Sequence, residues 1–254
     1  MRNEILKRLA QIEKAENVRI LIAVESGSRA WGFASPDSDY DVRFIYVRPK
    51  DEYLRLQKRR DVIELPLSHE LDINGWDLNK TLRLLHKSNP TLFEWFSSPI
   101  VYLKTNFAVR FQSTMGRYFS SKRGLYHYIS MASGNYREYL KSDMVKAKKY
   151  FYVLRPVLAC RWILDNGTPP PMLFSELVNS ELTPELLPEV ERLLDLKINS
   201  PEVRMIPKRE ALNKYLESSI EEIKRTVAAL PETSKNGWEE LNDLFLSTTN
   251  AFSQ

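Results

Sequence analysis

The run Val18 to Val24 (VRILIAV) constrains the fold more than any other part of the chain. It is rich in β-branched residues, too short for a helix and too apolar for a strand with one wet face. It therefore predicts a central strand in a sheet covered on both sides. Upstream, Ile5, Leu6, Leu9 and Ile12 form one apolar stripe of a helix over residues 4–15. Downstream, Gly-Ser and Pro-Asp-Ser punctuate residues 26–39, and Val42 to Val47 (VRFIYV) reads as a second strand. Asp61 to Leu65 and His69 to Ile73 are two shorter strand candidates separated by Pro66. From Asp77 the apolar period changes to 3.6. Asp77 is placed to cap a helix carrying Leu78, Leu82 and Leu85, and Pro90 to begin another through Trp95.

Past residue 100 helical periodicity fits 107–119, 125–140, 145–164, 184–194 and 208–230, and no strand stands out. The fold class expected is α+β: a small α/β head with a mixed sheet and flanking helices, followed by an α-helical domain. At 254 residues with 43% apolar content, the chain can build a core. The single cysteine, Cys160, excludes a disulfide scaffold and cysteine-rich zinc sites. The apolar runs fall far short of a membrane span, and the start lacks the apolar block of a signal peptide, so a cytosolic protein without membrane partners is expected. Charge is divided along the chain. Residues 1–100 carry 16 basic and 15 acidic side chains, residues 101–160 carry 11 and 2, and the remainder 10 and 16. The basic middle segment calls for an anionic partner.

The sharpest local feature is ESGSRAWGFASPDSDYDVRFIYV, residues 25–47. A strand ends in Gly27-Ser28, a short turn and a loop follow, and Asp39-Tyr40-Asp41 opens the next strand. Residues i and i+2 of a strand share a side, so Asp39 and Asp41 present two carboxylates together. Such a pair repels itself unless a cation intervenes, and Mg²⁺ with its preference for oxygen ligands meets that need. Gly27 lets the backbone approach a ligand closely, while Ser28 and the amides of the following turn can hold phosphate. Arg29 is well placed for phosphate, and Arg43 follows Asp41 on the same strand face, where it can pair with the carboxylates.

Gly27-Ser28, ten intervening residues and Asp39-x-Asp41 followed by Val42 resemble the signature of the polymerase-beta-like nucleotidyltransferase superfamily. With DINGWDLNK, SNPTLFEW, SSPIVY and KKYFYVLRP downstream, the string is similar to the bacterial YcgL-type, RNA-ligase-associated predicted nucleotidyltransferases, over about the first 165 residues. That resemblance implies a catalytic domain over residues 1–105 and a helical substrate- and nucleotide-binding domain over 106–254. It further implies two Mg²⁺ ions, with Mn²⁺ as a substitute, on three carboxylates, and attack at the α-phosphate of an NTP with loss of pyrophosphate. Asp39 and Asp41 are then the first two ligands. Asp72, flanked by Leu71 and Ile73, fits best as the third, with Glu70 the alternative on the same strand face.

Lys148, Tyr152 and Arg155 fall at offsets 0, 4 and 7 on one helix face. By the resemblance, Lys148 and Arg155 are expected on the β- and γ-phosphates and Tyr152 on base or ribose; the other reading is a solvated basic edge beside a core tyrosine. His127 and Asn135, at i and i+8 on the preceding helix, can face the same cleft, and Ser38 joins Gly27, Ser28 and Arg29 in the nucleotide-binding set. The expected activity moves NMP from an NTP, ATP favoured, to an acceptor hydroxyl, RNA foremost and otherwise a protein or small molecule. The competing expectation is a non-catalytic nucleotide- or RNA-sensing module acting with an unassigned partner protein.

Overall fold

The computed structural model of the protein describes residues 1–57, 59–66, 70–199, 205–231 and 237–252. Two compact units are present. One comprises Met1–Ala30, Asp39–Tyr118 and Lys235–Gln254, the other Trp31–Ser38 and Phe119–Ser234. The strands of the head thus share their unit with the helix after residue 105 and with the C-terminal helix. Among the described residues no helix is long and apolar enough to cross a membrane.

The first unit contains α1 (Arg2–Glu16), β1 (Arg19–Ser26), α2 (Gly27–Ala30), β2 (Tyr40–Val47), α3 (Lys50–Tyr53), β3 (Val62–Glu64), β4 (Leu71–Asp77), α4 (Leu78–His86), α5 (Pro90–Phe96), β5 (Val101–Lys104) and α6 (Asn106–Met115). Its five strands form a mixed sheet in the order β3-β4-β2-β1-β5, in which β2 and β4 pair in parallel and the other neighbours pair antiparallel. The expected apolar run is β1, second from one edge and buried from Ile20 to Val24. Ile5, Leu9 and Ile12 of α1 are buried against the sheet face carrying Val42, Phe44, Leu71 and Ile73. Each such side chain contributes roughly 1.5–3 kcal/mol. Because β4 alternates buried and half-buried residues, Asp72 and Asn74 fall on the opposite, accessible face.

The second unit is helical: α7 (Ser121–Tyr139), α8 (Ala147–Asn166), α9 (Phe174–Glu181), α10 (Leu187–Ile198) and α11 (Glu210–Ala229), with a two-stranded ribbon of β6 (Met144–Lys146) and β7 (Met205–Pro207). The last helix, α12 (Glu239–Phe252), returns to the first unit. α8 carries Pro156, which has no N–H to donate to the carbonyl of Tyr152 one turn back. The side-chain amide of Asn135 on α7 donates to that carbonyl at 3.1 Å and restores the missing bond. A second polar clasp joins Tyr150, whose hydroxyl donates to Asn213 Oδ1 at 2.7 Å, to Leu140, whose carbonyl accepts from the Asn213 amide at 2.8 Å.

Strands do exist past residue 100, contrary to the sequence reading. β5, β6 and β7 are three or four residues long, too short to develop a period of two, and β6 and β7 meet only through pairing distant in sequence. Helices α9 and α12 were not anticipated either. His69, expected to open a strand, lies outside the described residues; the strand observed begins at Leu71 and continues to Asp77.

Candidate active site

The site is built where β1 ends and β2 and β4 begin. β1 leads into Gly27, whose φ of +61° belongs to the left-handed region that glycine enters without steric cost. A Cβ on Gly27 would stand 2.1 Å from Asp41 Oδ2, so the glycine keeps open the space the carboxylate occupies. Two residues earlier, Glu25 is fully buried. Its Oε1 accepts the Asp41 backbone N–H at 2.6 Å, and its other oxygen accepts the Tyr102 hydroxyl. The Ser98 hydroxyl donates to the Glu25 carbonyl at 2.6 Å. A buried carboxylate with partners on both oxygens fixes the backbone that presents Asp41. Burial pushes the Glu25 carboxyl up despite hydrogen bonds from Tyr102 and the Asp41 amide that oppose the shift.

Across the parallel pair, Asp41 is level with Asp72 and Arg43 with Asn74. Neighbours level in register project to the same side, which brings Asp41 and Asp72 together on the accessible face. Arg43 joins them: one guanidinium nitrogen donates to Asp41 Oδ1 at 3.1 Å and to Asp72 Oδ2 at 2.7 Å, and the other donates to the Asp72 carbonyl at 3.0 Å. Burial pushes the Asp41 carboxyl up; the Arg43 charge opposes this, while the charges of Asp72 and Asp39 add to it. Asp39 is exposed just before β2. Its carbonyl accepts from Arg29 Nε at 3.1 Å, and the Arg29 guanidinium lies 3.7 Å over the Tyr40 ring. Ser28 is half-buried in α2.

The oxygen donors of Asp41 and Asp72 suit a hard divalent cation, and their repulsion is already answered by a cation, the Arg43 guanidinium. Among the described residues no group of three or more His, Cys, Asp or Glu side chains is gathered as a metal-ligand set, so the fit rests on this pair. Glu70, the alternative to Asp72, is exposed ahead of β4 and level with none of the paired β2 residues; its carbonyl accepts the Tyr40 N–H at 2.8 Å.

The remaining nucleotide-binding candidates belong to the second unit. Ser38 is buried; its hydroxyl accepts from the Ser35 N–H at 2.9 Å and from Lys197 Nζ at 3.4 Å. Lys197, 7% exposed at a core position of α10, gave no signal in the sequence because it falls among the apolar positions of an ordinary amphipathic helix. Arg155 does not sit on a solvated basic edge, the alternative reading of α8. It is 3% exposed, with its guanidinium 4.8 Å from the Trp31 ring and 3.6 Å from the Met172 sulfur. Lys148 and Tyr152 are half-buried on the same helix, and Trp31 meets Tyr152 edge to face at 6.5 Å. Asn135 is committed to the Tyr152 carbonyl, and His127 packs its ring against Tyr128 at 5.2 Å. Glu25 is the site residue the sequence reading passed over. It opened the motif but, read alone, was an unremarkable acid ahead of a turn.

A family model described as RlaP, the RNA repair pathway DNA polymerase beta family, matches residues 1–247. A Bacillus subtilis (strain 168) protein described as uncharacterized protein YcgL is 47% identical over 250 residues, covering 98% of this chain and 96% of the relative. A solved nucleotidyltransferase-like protein from Exiguobacterium sibiricum 255-15 aligns over 96% of this chain and 89% of its own, at 12% identity and a TM-score of 0.33.

Proposed function

Because the chain belongs to the RNA repair pathway DNA polymerase beta family, we propose that it transfers NMP from an NTP, ATP favoured, to a hydroxyl of RNA. The observation that carries this reading is the level register of Asp41 and Asp72 beside Gly27. Asp41 and Asp72, joined by Asp39, would hold the Mg²⁺ ions, which when bound supply charge neutralisation at the reacting phosphates. The chain's own residues do the positioning. Glu25 holds the Asp41 amide, Gly27 leaves room for its carboxylate, and Arg43 keeps the two carboxylates side by side until a stronger cation competes for them. α2 starts at Gly27 against the Asp41 carboxylate and its Arg29 donates to the Asp39 carbonyl, so Ser28, Arg29 and the amides of α2 are the groups that would receive the phosphates of an NTP.

The test is incubation with Mg²⁺ and each α-labelled NTP against cellular RNA, protein and small-molecule fractions. Label is expected in the RNA fraction with wild type, and Asp41→Asn should lower it at least about a hundredfold, the scale on which loss of electrostatic stabilisation acts. Label in the protein or small-molecule fraction instead would reassign the acceptor. Retained NTP binding with no transfer under Mg²⁺ or Mn²⁺ would replace the enzyme with a nucleotide- or RNA-sensing module.

A further inference from the structure

At the far end of the parallel strands from Asp41 and Asp72, where β2 and β4 finish, the first unit holds a cavity of about 440 Å³. Five guanidinium groups line it: Arg48, Arg55, Arg59, Arg60 and Arg83. Its acids are already engaged. Glu52 pairs with Arg55 at 2.9 Å and Arg59 at 2.6 Å, Asp61 with Lys80 at 3.2 Å, and Asp77 accepts the Tyr53 hydroxyl at 3.1 Å and the Asn79 N–H at 2.8 Å. Among the described residues no hydrogen bond or ion pair engages the Arg83 side chain. Arg48, only 5% exposed, donates through its terminal nitrogen to the Glu16 carbonyl at 3.1 Å, yet its buried Nε meets no acceptor. Arg60 pairs with Glu64 and Arg48 with Glu16 at 3.6 Å. Five guanidinium groups against three carboxylates, with the buried Arg48 Nε unpartnered, still leave a positive excess that suits an anion, and the planar fork of guanidinium matches phosphate best.

A second cavity, of about 490 Å³, adjoins it through Asn79 and Arg83, which line both. Its other walls are Leu82, Leu241, Phe245, Trp238 and the polar Asn242. The Trp238 indole rests on His86, stacked at 3.7 Å, and is 44% exposed. A cationic cavity beside a mainly apolar one that carries an exposed indole matches a ligand made of phosphate and base.

We propose that these joined cavities bind a nucleoside phosphate, with phosphate among Arg48, Arg60 and Arg83 and the base against Trp238. The ligand chemistry is shared by free nucleotide and single-stranded RNA. The site stands apart from the carboxylate pair and needs no metal, so its test is independent of the catalytic reading.

The experiment titrates the full chain in EDTA with ATP and, separately, with a fluorescent 5′-phosphorylated ten-residue oligoribonucleotide, following Trp emission and anisotropy. Wild type should bind at least one of the two, and which one identifies the source. Arg60→Gln with Arg83→Gln should weaken that binding about tenfold or more, as should Trp238→Ala, without lowering the melting temperature appreciably. Lys7→Gln, which removes an exposed positive charge from α1, should leave it unchanged. Failure of wild type to bind either ligand, or equal weakening by Lys7→Gln and the double variant, would overturn the proposal.

Discussion

Asp77 illustrates how much a single residue can carry. Its carboxylate caps α4 through the Asn79 N–H at 2.8 Å, as the sequence predicts, and also accepts the Tyr53 hydroxyl, which nothing in the sequence announces. Burial raises its pKa from 3.8 to about 6, opposed by the Asn79 and Tyr53 hydrogen bonds and by Arg48, and reinforced by Asp61. The native state therefore binds this proton more tightly than the unfolded chain does. The resulting stability is full below about pH 4 and is lost as pH rises through about 6. Asp77→Asn keeps a capping oxygen and removes the charge. The variant should match wild type near pH 4 and exceed it by on the order of 2 kcal/mol at pH 8 in denaturant unfolding. At this scale the places of Gly27 after β1 and Asp41 on β2 were legible, because turn chemistry and strand alternation are local, whereas Asp39, expected to open that strand, falls just before it. Arg43 was placed on the right strand face, and its bridge to Asp41 and Asp72 bears that out. Glu25 was not legible, since its role comes from Tyr102 and the Asp41 amide, residues that only the sheet brings to it.

Among the elements, the legible ones carry their own periodicity. The stripe of α1, the run of β1 and the cap and start of α4 and α5 all lie close to where local pattern put them. β5, β6 and β7 are defined by partners instead, and their three or four residues hold no period of their own. α8 makes a related point. Lys148, Tyr152 and Arg155 do share a spacing, but so much of this helix is buried that Arg155 enters the core beside Trp31. Asn135 serves that helix too, by donating to the Tyr152 carbonyl, to which Pro156 has no N–H to offer. Asn135→Ala should therefore lower stability by about 0.5–1.5 kcal/mol, the net contribution of a lost hydrogen bond, and Pro156→Ala in the same background should recover part of it. Equal stability of Asn135→Ala and wild type in chemical denaturation would remove Asn135 from this role.

At the scale of the whole molecule, the division of charge along the chain does not follow the division into units. The basic segment 101–160 contributes β5 and α6 to the first unit and α7, β6 and most of α8 to the second. The chain returns to the first unit with α12, so neither unit is a continuous stretch of sequence, and no local pattern announces such a return. What does hold across these scales is the junction of strand ends: Gly27 after β1, Asp41 on β2 and Asp72 on β4, brought level by parallel pairing. The central claim is that this pair is a cation site. Electron paramagnetic resonance titration of Mn²⁺ in the presence of ATP tests it most directly. Wild type should bind Mn²⁺ beyond what ATP alone holds; Asp41→Asn and Asp72→Asn should each abolish that excess, and Glu70→Gln should retain it. Mn²⁺ binding by Asp72→Asn equal to wild type, or its loss in Glu70→Gln alone, would contradict the account.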